Sequence, residues 1–353
     1  MTKVLIAAGG TAGHVVPALA VAGALQADGA EVAWVGGERA EASLVPEAGI
    51  RFLPVRVSGL SRSNPLKAAR AVLQAFGAVA AAWRILGRER PDAVLGGGGY
   101  VAGPVGLAAV LRRVPLVLTE ADSHLGLTNR LLARFARRVC LAFPIDGRDE
   151  PRFRVTGRPV PAPSTDRAAA RLRFGIPDDA VCVLVFGGSL GARTINDAAV
   201  AGLADAGCWV LHASGHRDFD ELRARLGAPP RYVLEPYIQP FGDALVASDL
   251  VVARSGGSIF EIAAHGRPAL LVPYPHAAAD HQTANARWMV DSGAAVVVTD
   301  AELSGARLRS EVDRLLAEPA RLAAMASASA GLARVDAARE IAREVLSAAG
   351  RGG

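Results

Sequence analysis

VLIAAGGTAGH, residues Val4–His14, is the stretch on which the fold turns: five apolar residues, two glycines, then the start of a helical run. A short unbroken apolar run reads as a strand buried on both faces, as in a parallel sheet covered by helices. The glycines let backbone N–H groups approach a ligand, and the following helix N-terminus adds about half a positive charge. Strand, glycine turn and helix together form a device for binding phosphate.

Outward from this stretch the same grammar repeats. Short apolar strands are predicted at Glu31–Gly36, Asp92–Gly96 and Pro115–Thr119, with helical periodicity over Pro17–Gln26, Pro65–Leu86 and Leu127–Ala136. Near Thr156 the pattern gives way to GRPVPAPSTD, whose prolines mark a hinge. It then restarts: VCVLVF (Val181–Phe186) runs into GGSLGA (Gly187–Ala192) and a helix. The fold class expected is α/β, with two Rossmann-like domains whose parallel sheets face across a cleft. The boundaries read as 1–157 for the first domain, 158–163 for the linker and 164–336 for the second. A terminal helix over 337–349 is expected to pack back on the first domain.

Bulk composition agrees with two domains. The 353 residues exceed what one core organises, and 51% hydrophobic with 21% charged is ordinary for a globular chain. The net charge of +5, almost wholly arginine, suits phosphorylated substrates or anionic lipid. No basic run with interleaved aromatics points to nucleic acid, so no nucleic-acid partner is expected. Cys140, Cys182 and Cys208 lack CxxC spacing and read as buried thiols of a reducing compartment. The apolar start breaks at Gly9, too early for a secretory signal, and other apolar stretches meet Arg84 or Arg112–Arg113 before spanning length. A cytoplasmic protein is expected.

Four glycine turns follow apparent strands: GGTAGH (Gly9–His14), GGGGYVAGP (Gly96–Pro104), GGSLGA and RSGGSIFE (Arg254–Glu261). Neither GxGxxG with a ribose acid nor GxxxxGK[ST] is present, which disfavours nicotinamide dehydrogenases and P-loop NTPases. His14 closes the first turn, and a near-neutral imidazole suits a general base on a hydroxyl. A helix-capping or packed histidine is the plainer alternative. Glu120, with Asp122 and His124 close behind, is placed at the same rim, either assisting His14 or satisfying turn donors. Ser258 and Glu261 have capping-box spacing, while a carboxylate there also suits a ribose diol. In HAAADHQTANA (His276–Ala286) the His and Asp spacing does not make a metal site, so no metal and no cofactor is expected. Gln282 and Asn285 there read as hydroxyl-directed amides. On the helix Pro65–Leu86, the residues Leu66, Leu73, Phe76, Val79, Trp83 and Leu86 share a face with Lys67, Arg70 and Arg84 nearby. That face either packs on the sheet or meets an anionic membrane surface.

Taken together, GGTAGH, GGGGYVAGP, TEADSHLGLTN, GGSLGARTIN and HQTANA, in this order along the whole chain, resemble the MurG-type glycosyltransferases. The resemblance implies a GT-B fold and an inverting, metal-independent transfer of N-acetylglucosamine. UDP-N-acetylglucosamine would be the donor and undecaprenyl-pyrophosphoryl-muramyl-pentapeptide the acceptor, at the inner face of the cell membrane. It implies donor contacts at Thr11, Ala12, Gly13, Asn129, Ser189 and Gln282. The backbone of Ile238 in EPYIQP would meet the uracil edge, Glu261 the ribose, and His14 would activate the acceptor hydroxyl. The chain departs from the family pattern in several places. Ala12 replaces a glycine, Asp122 an asparagine and Pro161 an arginine, while Arg158 replaces an asparagine and is the candidate for the displaced cation. RSGGSIFE is also one residue short. A lipid glycosyltransferase with a diacylglycerol acceptor, a UDP-sugar epimerase and a silent nucleotide-sugar binding module are the alternatives.

Overall fold

The computed structural model describes residues 1–55, 65–188, 190–277 and 280–351, and the side chains of Ala12, residues 65–76 and Arg351 are outside that description. The chain divides into two compact units, Met1–Val160 with Arg334–Gly353, and Pro161–Ala333.

The first unit is built on β1 (Lys3–Ala7), β2 (Glu31–Gly36), β3 (Arg51–Pro54), β4 (Ala93–Gly96), β5 (Leu116–Glu120), β6 (Arg138–Leu141) and β7 (Phe153–Val155). All pair in parallel, in the order β3-β2-β1-β4-β5-β6-β7. Alternation along β1 explains its apolar run. Leu5 and Ala7 enter the layer beneath the helices Pro65–Glu89 and Gly99–Leu111, while Val4 and Ile6 enter the opposite layer. That second layer is closed by the helix Ala12–Ala27 and by Ile341, Ala342 and Val345 of the helix Ala337–Leu346. Glu344 of the same helix accepts from Arg138 Nε at 2.7 Å and Arg154 Nη1 at 2.6 Å. The C-terminal helix is thus part of the first unit's core.

The second unit carries β8 (Cys182–Phe186), β9 (Trp209–Ala213), β10 (Tyr232–Glu235), β11 (Leu250–Ala253), β12 (Ala269–Leu271) and β13 (Ala295–Val297). They are also parallel, in the order β10-β9-β8-β11-β12-β13. Both sheets therefore reverse strand order beside their first strand, the topological switch point where ligands bind at strand C-termini. The four glycine turns fall into two pairs. One pair follows β1 and β4, the other β8 and β11.

Some local expectations change. The helix predicted from Pro17 begins at Ala12. Pro17 has no N–H for the Gly13 carbonyl one turn earlier. Arg158 Nη2 donates to that carbonyl instead, at 2.5 Å. The helix read as Pro65–Leu86 runs to Glu89, and its described half turns Ala78, Ala82 and Leu86 into the core with Val79 packed beside them. Among the described apolar residues of that face Trp83 alone stays outward, 39% exposed, with the Arg112 guanidinium 4.2 Å from its ring centre. The side chains of Leu66, Lys67, Arg70, Leu73 and Phe76 lie outside the described residues. Cys140, Cys182 and Cys208 are buried, unbridged thiols. Among the described residues no helix is long and apolar enough to cross a membrane.

Candidate functional site

In the first unit, the turns after β1, β4 and β5 enclose a cavity of about 190 Å³ lined by His14, Gly97–Gly99, Thr119–Asp122 and Gly126–Asn129. It brings together His14, Glu120, Asp122 and Asn129, four residues singled out from the sequence. Gly98 has φ +93°, and a Cβ there would stand 2.7 Å from His14 Cδ2, so only glycine leaves the imidazole its place. Thr11 Oγ1 lies 3.4 Å from His14 Nδ1. Burial, reinforced by the Arg158 guanidinium, holds this imidazole below the ordinary histidine range, with Asp122 pulling the other way. At neutral pH it is uncharged and able to take a proton.

Glu120 is buried, and its oxygens accept from Asp122 N–H (3.2 Å), Gly126 N–H (2.8 Å) and Asn129 Nδ2 (2.9 Å). Burial pushes its carboxyl above the usual range even against those bonds. Asn129 also donates to Thr119 O at 2.9 Å. Glu120 and Asn129 therefore knit the loop after β5 together. Arg158 holds Gly13 O as described, and Thr11 and Gly13 sit exposed at the helix start.

In the second unit a separate cavity of about 190 Å³ opens between the turns after β8, β9 and β11 and the loop after β10. Its lining includes Gly188, Gly215, Ile238, Phe241, Ser258 and Glu261. Phe186 and Phe241 meet edge to face at its floor, 4.7 Å between ring centres. The capping box read at Ser258 and Glu261 is not formed. Ser258 has helical backbone angles, φ −64° and ψ −15°, and its hydroxyl makes no capping bond. An N-cap needs extended angles to aim its side chain at the helix start, which Ser258 lacks. Gln282 lies beside the same turn: its carbonyl accepts from Ser255 Oγ at 2.7 Å and its Oε1 accepts from Tyr274 N–H at 3.0 Å. Asn285 is buried, donating to Ser255 O at 3.1 Å, so it braces the turn instead of facing a hydroxyl. Arg254 is enclosed, paired with Asp300 at 2.5 Å and donating to Thr194 Oγ1 at 2.8 Å. Ser189 lies outside the described residues. Among the described residues no three His, Cys, Asp or Glu side chains gather as a metal site.

Two buried polar clusters were not singled out by sequence reading. Beneath the first unit's turns, Glu41 accepts from Gly10 N–H, Gly37 N–H and the Tyr100 hydroxyl. A glycine pair after β2 followed by a carboxylate in the next helix was the available signal. Beneath the second unit's turns, Asn196 donates through Nδ2 to Ser214 O (2.9 Å) and Asp218 Oδ2 (3.1 Å). Its Oδ1, 3.0 Å from His212 Nε2, must then accept, which fixes His212 as the Nε2–H tautomer. His212 Nδ1 accepts a hydrogen bond from the Tyr232 hydroxyl at 2.8 Å. Burial lowers this histidine to about 3.

A model of the glycosyltransferase family 28 N-terminal domain matches residues 4–141, and one of the family 28 C-terminal domain matches residues 182–341. A Moorella thermoacetica protein is 42% identical, covering 98% of each chain. An Alkalilimnicola ehrlichii protein is 43% identical, covering 97% of this chain and 98% of its own. Both are named UDP-N-acetylglucosamine–N-acetylmuramyl-(pentapeptide) pyrophosphoryl-undecaprenol N-acetylglucosamine transferase. A crystal structure of Acinetobacter baumannii MurG superposes with a TM-score of 0.82 at 30% identity, covering 98% of this chain and 100% of that one.

Proposed function

The chain belongs to glycosyltransferase family 28, and from that premise we propose how its two cavities divide one reaction. The protein is a hexosyltransferase that moves N-acetylglucosamine from UDP-N-acetylglucosamine to the lipid-linked N-acetylmuramyl-pentapeptide, the lipid I to lipid II step of peptidoglycan synthesis. Two α/β units with parallel sheets are its GT-B scaffold.

In our reading the first unit's cavity takes the acceptor and the second unit's cavity takes the nucleotide. The observation that carries this is the neutral, glycine-framed His14 at the first cavity, opposed to a second cavity holding Ile238 and Glu261 with no histidine in its lining. The muramyl 4-hydroxyl gives its proton to His14 as its oxygen attacks the anomeric carbon. The bond from that carbon to the diphosphate oxygen breaks, UDP leaves with the electron pair, and configuration inverts. Glu261 accepts from the ribose hydroxyls, and the Ile238 backbone meets the base. The glycine turn Gly187–Ala192 and the start of the helix Arg193–Leu203 face the leaving diphosphate, whose charge N–H dipoles stabilise without reorganising. Ser189 and Gln282 join that donor side, and Thr11, Ala12, Gly13 and Asn129 are the first unit's contacts to the donor in this reading. Asp122 offsets part of the Arg158 charge at His14. Glu120 positions its loop and the base role rests on His14 alone. UDP release from UDP-N-acetylglucosamine, measured with and without a muramyl-lipid acceptor, tests the reading. Release that ignores the acceptor overturns it.

The anionic membrane surface is a further partner in this reading. Leu107, Leu111, Leu127, Leu131 and Phe135 are exposed in the first unit, with Arg113, Arg130 and Arg134 exposed among them. Gly106 lies against Leu132, so the two helices carrying this surface pack together. Apolar insertion plus about 1 kcal/mol for each arginine near anionic lipid suffices for reversible docking. In this reading the enzyme docks peripherally, on the inner face of the cell membrane. Leu131→Ser with Phe135→Ser should weaken binding to phosphatidylglycerol-rich vesicles while turnover of a water-soluble acceptor persists. Unchanged vesicle binding removes the proposal.

A further inference from the structure

Three loops of the first unit converge on one carboxylate. Glu41 is fully buried, with Oε2 accepting from Gly10 N–H at 2.8 Å and Oε1 from Gly37 N–H at 2.9 Å and Tyr100 O–H at 2.7 Å. Gly10 lies in the turn after β1, Gly37 follows β2, and Tyr100 opens the helix after β4. The space for this clamp comes from missing side chains. A Cβ on Gly9 would stand 2.6 Å from Glu41 Oε1, and one on Gly37 only 2.0 Å from the Tyr100 hydroxyl. The turns also interlock directly: a Cβ on Gly99, where φ is +75°, would meet Gly9 O at 1.7 Å.

The hydrogen-bond partners of the Glu41 oxygens are all donors. Burial alone pushes a carboxyl up, but the bonds from Gly10, its own N–H, Tyr100 and Gly37 more than offset that, and Glu41 is held below the usual carboxylate range. The Tyr100 phenol is pushed up to about 12, by burial first and then by Glu41. The clamp is thus an ionised acceptor gripping the N–H groups of Gly10 and Gly37, its own N–H and one neutral phenol, the stronger, charge-assisted form of the bond.

His14 lies between the two clamped turns. It follows Gly10 by four residues in one and packs on Gly98, two residues before Tyr100, in the other. We propose that Glu41, with Tyr100, is a positioning residue for His14, fixing through the backbone on both sides where the base meets the acceptor hydroxyl. The inference rests on the reading of His14 as base. It also bears on the turn itself. With the Gly10 N–H given to Glu41, that one amide of the first glycine turn serves geometry and is not available to a phosphate.

Glu41→Gln keeps the shape and spoils the polarity, because either orientation sets an amide NH₂ against a backbone N–H that cannot turn round. Per folded molecule, kcat should fall about 10- to 100-fold with KM for UDP-N-acetylglucosamine within twofold, as expected from a misplacement of about 1 Å. Tyr100→Phe, which removes one donor and keeps the carboxylate, should cost about threefold by the same logic. It remains informative if Glu41→Gln folds poorly. A double-mutant cycle gives the decisive readout. In a His14→Ala background, neither variant should lower the residual kcat further. A large His14→Ala loss with Glu41→Gln and Tyr100→Phe kcat within twofold of wild type leaves the base reading standing and overturns the positioning role. Full additivity in the cycle also overturns it. A His14→Ala loss under threefold sinks both.

Discussion

The two switch points share one strand order and differ in which turns touch. In the first unit the turns after β1 and β4 interlock, Gly99 against Gly9, and close the crevice between them. The cavity there is displaced toward β5, with His14 at its edge. In the second unit the turn after β8 interlocks with the turn after β9 instead: a Cβ on Gly191, at φ +75°, would meet Ser214 O at 2.0 Å. The crevice between β8 and β11 therefore stays open, and the cavity lies over Gly188, Ser258 and Glu261. Each interlock is braced by a buried polar cluster, Glu41 in one unit and Asn196 with His212 and Asp218 in the other. The same topology gives a closed switch point suited to holding one side chain still and an open one suited to receiving a ligand.

The largest effect should come from the closed site. His14→Ala should lower kcat by about 10²–10⁴ while UDP binding is retained, if the imidazole takes the hydroxyl proton. Single-turnover kinetics with equilibrium UDP binding measures both, and a loss of both together would break the division between units. At the open site, Glu261→Gln should raise KM for the donor about tenfold and leave kcat within threefold, the lower end of the range for a bond to a charged group. A fall in kcat at constant KM would move Glu261 out of ground-state binding.

The third expectation is a pH shift. If His14 is the base, activity needs it neutral, and kcat/KM should fall as pH drops through its pKa, which burial and Arg158 hold below 6.5. Arg158→Gln removes a cation and should move this acid limb to higher pH, whereas Arg158→Lys should leave it near its wild-type position. An unmoved limb in Arg158→Gln would disconnect Arg158 from the base. The smallest effect on activity should be at His212→Gln, which leaves turnover nearly intact. Folded His212 stays neutral down to about 3, while unfolded histidine takes a proton near 6.5. Between those values the unfolded state binds the extra proton, so the second unit loses stability as pH falls. Denaturant unfolding from pH 7 to pH 4 should show a shallower decline in His212→Gln, which has nothing to titrate there. An identical slope would mean the cluster is not what buries the proton deficit.

Much of the scaffold was legible because its signals are local. The apolar run of β1 reports burial on both faces, and the glycines that end it report a tight turn before a helix. GGTAGH also carried its histidine in plain sight. The Ser258–Glu261 spacing misled for the opposite reason: a capping box is a claim about backbone angles, and those depend on how the turn is packed. At Val79 and Leu86 the face read on Pro65–Leu86 takes its sheet-packing alternative, which periodicity could not choose because it finds an apolar stripe without saying which neighbour covers it.

By itself the sequence determined two parallel sheets, the strand–glycine–helix units and the identity of the histidine, all written within about fifteen consecutive residues at a time. The tertiary structure alone decided the pairings at long range. Arg158 gives Gly13 O the hydrogen bond that Pro17 cannot supply, across 145 residues, and Glu41 reaches Gly10 and Tyr100 across 31 and 59. A backbone donor or acceptor needs a partner wherever it is buried, but nothing in the local sequence says which distant side chain the fold will bring to it. The two glycine turns look alike as strings, and they acquire separate tasks only from the neighbours against which the sheets press them.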